Sequence, residues 1–117
     1  MTLGIAFEGC AGRSAFSVGA ALELIEQRVW PAIFSGASSG AIVAAFLAAG
    51  RPAELESAWL RAAGRPVFRP GMLLHGRWPF RMSDVVGEPL RQAFGDQSLT
   101  DLPHEVAIPV TLMSLRG

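Results

Sequence analysis

Twice within its first forty residues the chain runs through a short apolar stretch, stops at glycines and hands over to a helix-forming segment, and this alternation restricts it to a few folds. Leu3 to Phe7 reads as a buried strand entering the loop Gly9-Cys10-Ala11-Gly12. A helix opens at Arg13 or Ser14: Phe16, Val18, Ala20, Ala21, Leu24 and Ile25 recur at near-helical spacing, Glu23, Glu26 and Gln27 take the other side, and the end is expected near Val29. Trp30-Pro31 breaks that helix, and Ala32 to Ser35 reads as a second strand running into Gly36. Ala41 to Ala49 is apolar all round, a buried helix with Gly50 where a C-terminal cap belongs. Pro52, with Glu54 and Glu56 behind it, starts a further helix carrying Leu55, Trp59 and Leu60 up to Gly64. No period holds from Arg65 to Met82. A short helix follows from Pro89 to Gly95, and Val106 to Leu115 reads as the last strand. Strand, helix, strand, three helices and strand, in that order, predict an α/β layered fold with a mainly parallel sheet.

Composition bounds what such a fold can do. At 117 residues the chain is a single domain, and half its residues are hydrophobic, enough for a core. Ten arginines cancel ten acidic residues, which leaves no electrostatic footprint for nucleic acid. Cys10 is the single cysteine, so no internal disulfide forms, and no Cys/His cluster offers a metal site; a reduced, cytoplasmic protein is expected. No basic region precedes the first apolar run, and Ala41 to Ala49 is far too short to span a bilayer, so neither an export signal nor a membrane span is expected.

The sharpest chemical signal is Gly36-Ala37-Ser38-Ser39-Gly40, a G-x-S-x-G between a predicted strand and a predicted helix. A nucleophile on a strained strand-to-helix turn needs neighbours without bulky Cβ substituents, and Gly36 and Gly40 meet that need. The helix that follows points its free N–H groups at the charge that develops beside Ser38. The plainer reading is a pair of serines capping a helix. The other signal, Gly9-Cys10-Ala11-Gly12-Arg13, also lies between strand and helix and offers several backbone N–H groups to a phosphate or an oxyanion. It is not a dinucleotide fingerprint, since Ala11 and Ser14 stand where G-x-G-x-x-G requires glycine. Cys10 itself reads as a small filler, because neither histidine is placed to activate its thiol.

The stretch from Leu3 to Gly19, with Glu8-Gly9-Cys10-Ala11-Gly12-Arg13-Ser14 at its centre, followed by Phe34 to Ala41, resembles the opening of patatin-like phospholipases. The resemblance is strongest from Leu3 to Ala49 and continues weakly through Phe94 to Leu102. It implies a three-layer α/β/α fold of which this chain holds the N-terminal portion, a lipid or acyl ester substrate, no cofactor, Ser38 as nucleophile, and the loop Gly9 to Arg13 as the oxyanion hole. The family's base is an aspartate in an Asp-Gly-Gly or Asp-Gly-Ala motif, and the chain contains no Asp-Gly. Impaired catalysis is therefore expected, since losing one member of a serine-nucleophile constellation costs about 10⁴-fold or more. Two other readings compete: a non-catalytic module that binds lipid, and an ordinary hydrolase triad of Ser38, Asp101 and His104, with Asp84, Asp96 and His75 as further candidates.

The segment Trp59 to Met82 interleaves Arg61, Arg65, Arg69, Arg77 and Arg81 with aromatic and aliphatic residues, which reads either as a packed loop with solvated arginines or as a cap meeting an anionic lipid surface. A sheet of about three strands leaves an open edge, so self-association is expected as well.

Overall fold

A computed structural model describes residues 1–114. Its elements are β1 (Gly4–Phe7), α1 (Ala15–Glu26), β2 (Ile33–Gly36), α2 (Ser39–Ala48), α3 (Pro52–Ala63), α4 (Glu88–Phe94) and β3 (Glu105–Ala107), in the order the hydrophobic pattern predicts. The sheet runs β1-β2-β3 with every pair parallel; Phe7 stands opposite Gly36 and Phe34 opposite Val106. Because both crossovers step the same way across the sheet, right-handed connections put their helices on one face. Ile5, Phe7, Phe34 and Val106 point to that face and pack with Val18, Val43, Phe46 and Leu55. On the opposite face Gly4, Ala6, Ile33, Glu105 and Ala107 are exposed, so among the described residues the helices cover one side of the sheet.

Helix α2 is the centre of the core. Val43, Ala44, Phe46, Leu47 and Ala48 are inaccessible to solvent, as expected of a helix apolar all round. Gly50, at φ +70°, closes it through Gly50 N–H to the Leu47 carbonyl at 2.9 Å and Arg51 N–H to the Phe46 carbonyl at 3.0 Å. Helix α1 closes by the same pair of bonds, Arg28 to Ile25 and Val29 to Leu24, but with Arg28 at φ +61° in the glycine position. It therefore ends at Glu26, a little short of the end expected near Val29. Three residues join α2 to α3, so α3 folds back along α2. Leu55 seats α3 in the core.

The last strand is shorter than its apolar run predicts. Pairing stops at Ala107, Pro109 has no N–H to extend the ladder, and Val110, Leu112 and Met113 are exposed. The far end of that run, Leu115, lies outside the described residues. The aperiodic segment before α4 is an ordered hairpin: Phe68 and Phe80 form an antiparallel bridge, flanked by Arg69 N–H to the Pro79 carbonyl at 2.8 Å and Arg81 N–H to the Val67 carbonyl at 2.7 Å. A single bridge is too short to leave a period in the sequence.

Candidate active site

Parallel strands all finish at one end, and here the C-terminal ends of β1 and β2 carry the two glycine loops side by side. Ala37 N–H donates to the Phe7 carbonyl at 3.2 Å, which fixes the start of the bend against the end of β1. Ser38 follows at φ +53°, ψ −124° and caps α2. That is the first central position of a type II′ turn, a place glycine dominates. Gly95, at φ +54°, ψ −123°, shows the residue the conformation prefers. The bend is held by Gly40 N–H to the Ala37 carbonyl at 2.9 Å and Ala41 N–H to the Ser38 carbonyl at 3.0 Å.

The glycines around Ser38 are there because nothing larger fits. A Cβ on Gly36 would overlap the Gly40 carbonyl, and one on Gly40 would overlap the Phe7 carbonyl and stand 2.7 Å from that of Glu8. A Cβ on Gly9 would lie 2.8 Å from the Cβ of Ser38 and 2.9 Å from the Ala37 carbonyl oxygen. The loop after β1 and the bend after β2 are thus in backbone contact.

Beyond Gly9 the loop becomes a 3-10 turn, Ala11–Ser14, that runs directly into α1. Ala11 sits at φ +52°. Of the loop amides expected to face an oxyanion, two are already engaged: Arg13 N–H donates to the Cys10 carbonyl at 3.2 Å, and Cys10 N–H donates to Ser39 Oγ at 3.2 Å. The amides of Ala11 and Gly12 open the turn and fall outside its i→i−3 ladder.

A cluster that the sequence reading missed ties the two loops together. Ser14, fully buried, shares a 2.7 Å hydrogen bond between its Oγ and Ser39 Oγ, and the Cys10 thiol lies 3.2 Å from the same Ser14 hydroxyl. Among the described residues no buried side-chain polar atom is left without a partner. Ser14 carried only a helix-start signal in the sequence, and Ser39 only its place in the G-x-S-x-G, so neither pointed to the other.

The acid and imidazole candidates lie elsewhere. His104 N–H donates to the Ala48 carbonyl at 3.1 Å, beside the last turn of α2, while Ser38 caps the first. Ten residues of helix at 1.5 Å each separate those ends by roughly 15 Å. His104 Nε2 accepts the Trp30 indole N–H at 3.0 Å instead. Asp101 accepts Ser98 N–H at 3.2 Å in a capping box, and Asp84 pairs with Arg81 at 3.0 Å. The Ser38–Asp101–His104 triad is therefore not assembled, because the strand that follows His104 enters the sheet from the opposite end. Ser38 Oγ makes no hydrogen bond among the described residues.

Ala41, one turn along α2 from Ser38, lines a mainly apolar groove of about 330 Å³ together with Ile42, Ala45, Leu90, Phe94 and Ile108. No helix among the described residues is long and apolar enough to cross a membrane.

The family model of the patatin-like phospholipases matches residues 5–116, nearly the whole chain. The chain belongs to the patatin-like phospholipase family. Neither a curated protein nor a solved structure matches it. Membership supports a lipid acyl hydrolase kind of function with lipid substrates, and the three-stranded parallel sheet with its helices agrees with that family's α/β architecture.

Proposed function

We propose that Ser38 is the nucleophile of a lipid acyl hydrolase of phospholipase or lysophospholipase type, and that the loop Gly9 to Arg13 forms its oxyanion hole. The observation that carries this reading is the contact of Gly9 with Ser38, at a backbone conformation that holds the serine off the end of a strand and ahead of a helix. Ser38 Oγ adds to the ester carbonyl carbon and gives up its proton to water; the carbonyl oxygen takes the negative charge, and water later supplies the proton of the departing alcohol. The amides of Ala11 and Gly12, the two the turn leaves over, and the N-terminal dipole of α2 stabilise that oxygen. Collapse returns a proton to the departing alcohol and leaves an acyl-serine, which water hydrolyses to a fatty acid with Ser38 restored. The groove along α2 receives the acyl chain, being mainly apolar and lined by Ala41, one turn from the nucleophile.

The general base is the step these residues do not supply. No Asp-Gly occurs in the 117 residues, and nothing among the described residues hydrogen-bonds Ser38 Oγ. On these residues alone turnover is impaired, and this same observation favours the second reading, a lipid-binding module that holds an acyl chain without hydrolysing it. Reaction with a fluorophosphonate separates the two: slow modification confined to Ser38 supports the hydrolase, and binding of fatty acid without modification supports the binding module.

We further propose a cytoplasmic protein, on the strength of its one free thiol, and self-association through the open β3 edge and the exposed Val110, Leu112 and Met113 that follow the strand. A monomer at all concentrations by sedimentation equilibrium contradicts the second of these.

A further inference from the structure

The hairpin between α3 and α4 divides the molecule's charge. Between Glu56 and Asp84 the chain carries five of its ten arginines and none of its ten acidic residues, so a neutral protein is basic on this segment and acidic outside it. Of those five, Arg81 alone is in an ion pair among the described residues, with Asp84. Arg61, Arg65, Arg69 and Arg77 are exposed. Several large apolar residues of the hairpin do not turn inward either. Leu74 is 88% exposed and Trp78 74%, with Leu73 and Phe68 more than half exposed beside them.

These side chains are presented by an ordered backbone. The Phe68–Phe80 bridge closes the base, the two rings lie 5.1 Å apart, and Trp78 packs 5.7 Å from Phe80. At the tip a 3-10 turn, Pro70–His75, is closed by Gly76 at φ +65° and by Arg77 N–H to the Met72 carbonyl at 3.0 Å. A fixed turn loses little conformational entropy when it docks.

We infer that this hairpin is a docking element for anionic bilayer surfaces, in which Trp78, Leu73 and Leu74 enter the interface and Arg65, Arg69 and Arg77 meet lipid phosphates. Apolar side chains alone would fit many partners, and arginines alone any polyanion. Their combination on one small turn matches a surface that is anionic in its headgroups and apolar just below them. Arginine suits phosphate oxygens because its planar guanidinium donates two parallel hydrogen bonds. The inference goes beyond the proposed hydrolysis and stands without it.

The test is flotation of the full 117-residue protein with vesicles of phosphatidylcholine alone, and of about three parts phosphatidylcholine to one of phosphatidylserine, where the anionic vesicles are expected to bind at least tenfold more tightly. Arg69→Glu with Arg77→Glu removes that difference, and Trp78→Ala with Leu74→Ala weakens binding to both vesicles. All four side chains are exposed, and circular dichroism confirms that each variant is folded. Brominated lipid quenches the indole fluorescence of bound protein, and this quenching is lost in Trp78→Phe. Ser38→Ala binds vesicles like the parent, which separates failure of docking from failure of the hydrolase reading. Equal binding to the two vesicles, undiminished binding by the charge-reversed variant, or equally tight binding to heparin would overturn the inference.

Discussion

Gly9 has no side chain because Ser38 occupies the space: a Cβ built there would stand 2.8 Å from the Cβ of the serine. That contact joins the loop after β1 to the bend after β2. Gly9→Ala is expected to push the two apart, destabilise the protein by about 1–3 kcal/mol, and slow the reaction of Ser38 with a fluorophosphonate. Gly19→Ala is the control, since nothing lies within 4 Å of a Cβ there. Gly19 is an exposed position of α1, and alanine should add about 1 kcal/mol. Urea unfolding measures both, and equal effects of the two substitutions would contradict the crowding argument.

Ser38 holds a conformation that the same chain elsewhere gives to glycine, at Gly95. Holding a residue with a Cβ there costs on the order of 1–3 kcal/mol, part of which glycine's greater freedom in the unfolded chain offsets. Ser38→Gly should therefore be about 1 kcal/mol more stable than Ser38→Ala, with both unreactive. Should alanine prove the more stable of the two in thermal unfolding, the bend is not strained.

The 2.7 Å bond between Ser14 and Ser39 clasps the loop to the first turn of α2. Each of Ser14→Ala and Ser39→Ala should cost about 1–2 kcal/mol, as expected for breaking a buried hydrogen bond. The double variant should cost less than the sum, with a coupling of about 1 kcal/mol by denaturant titration. Strict additivity would show that the two hydroxyls do not act together. Ser39→Ala also frees the Cys10 amide, so its reactivity toward a fluorophosphonate should change more than that of Ser14→Ala.

His104 bridges the Trp30 indole and the end of α2, at the opposite end of the sheet from Ser38. His104→Ala should lower stability by about 1 kcal/mol through the lost hydrogen bond and ring contact, and leave the labelling rate of Ser38 unchanged. A large drop in that rate in folded protein would restore the triad reading.

The elements that the sequence made legible are those whose signal is local. The burial of α2 is written in Ala41 to Ala49, its end in Gly50, the start of α3 in Pro52, and the crowded bend in Gly36 and Gly40. What stayed hidden depends on pairs distant along the chain. Ser14 and Ser39 are 25 residues apart and meet only because β1 and β2 lie side by side. The 3-10 turn after Cys10 commits the amides of Cys10 and Arg13 to internal bonds, which a count of loop N–H groups does not foresee. Helix α1 stops short of the end expected near Val29 because Arg28 takes the position where a closing turn usually has glycine. β3 is shorter than its apolar run because apolar residues continue past Pro109 after pairing has stopped.

Incubation of the purified protein with a fluorophosphonate, followed by peptide mass spectrometry, tests the nucleophile most directly. Ser38 as nucleophile predicts a single slow adduct on the peptide bearing it, absent from Ser38→Ala and retained by His104→Ala. No adduct at all, or one that persists after Ser38→Ala, would contradict it.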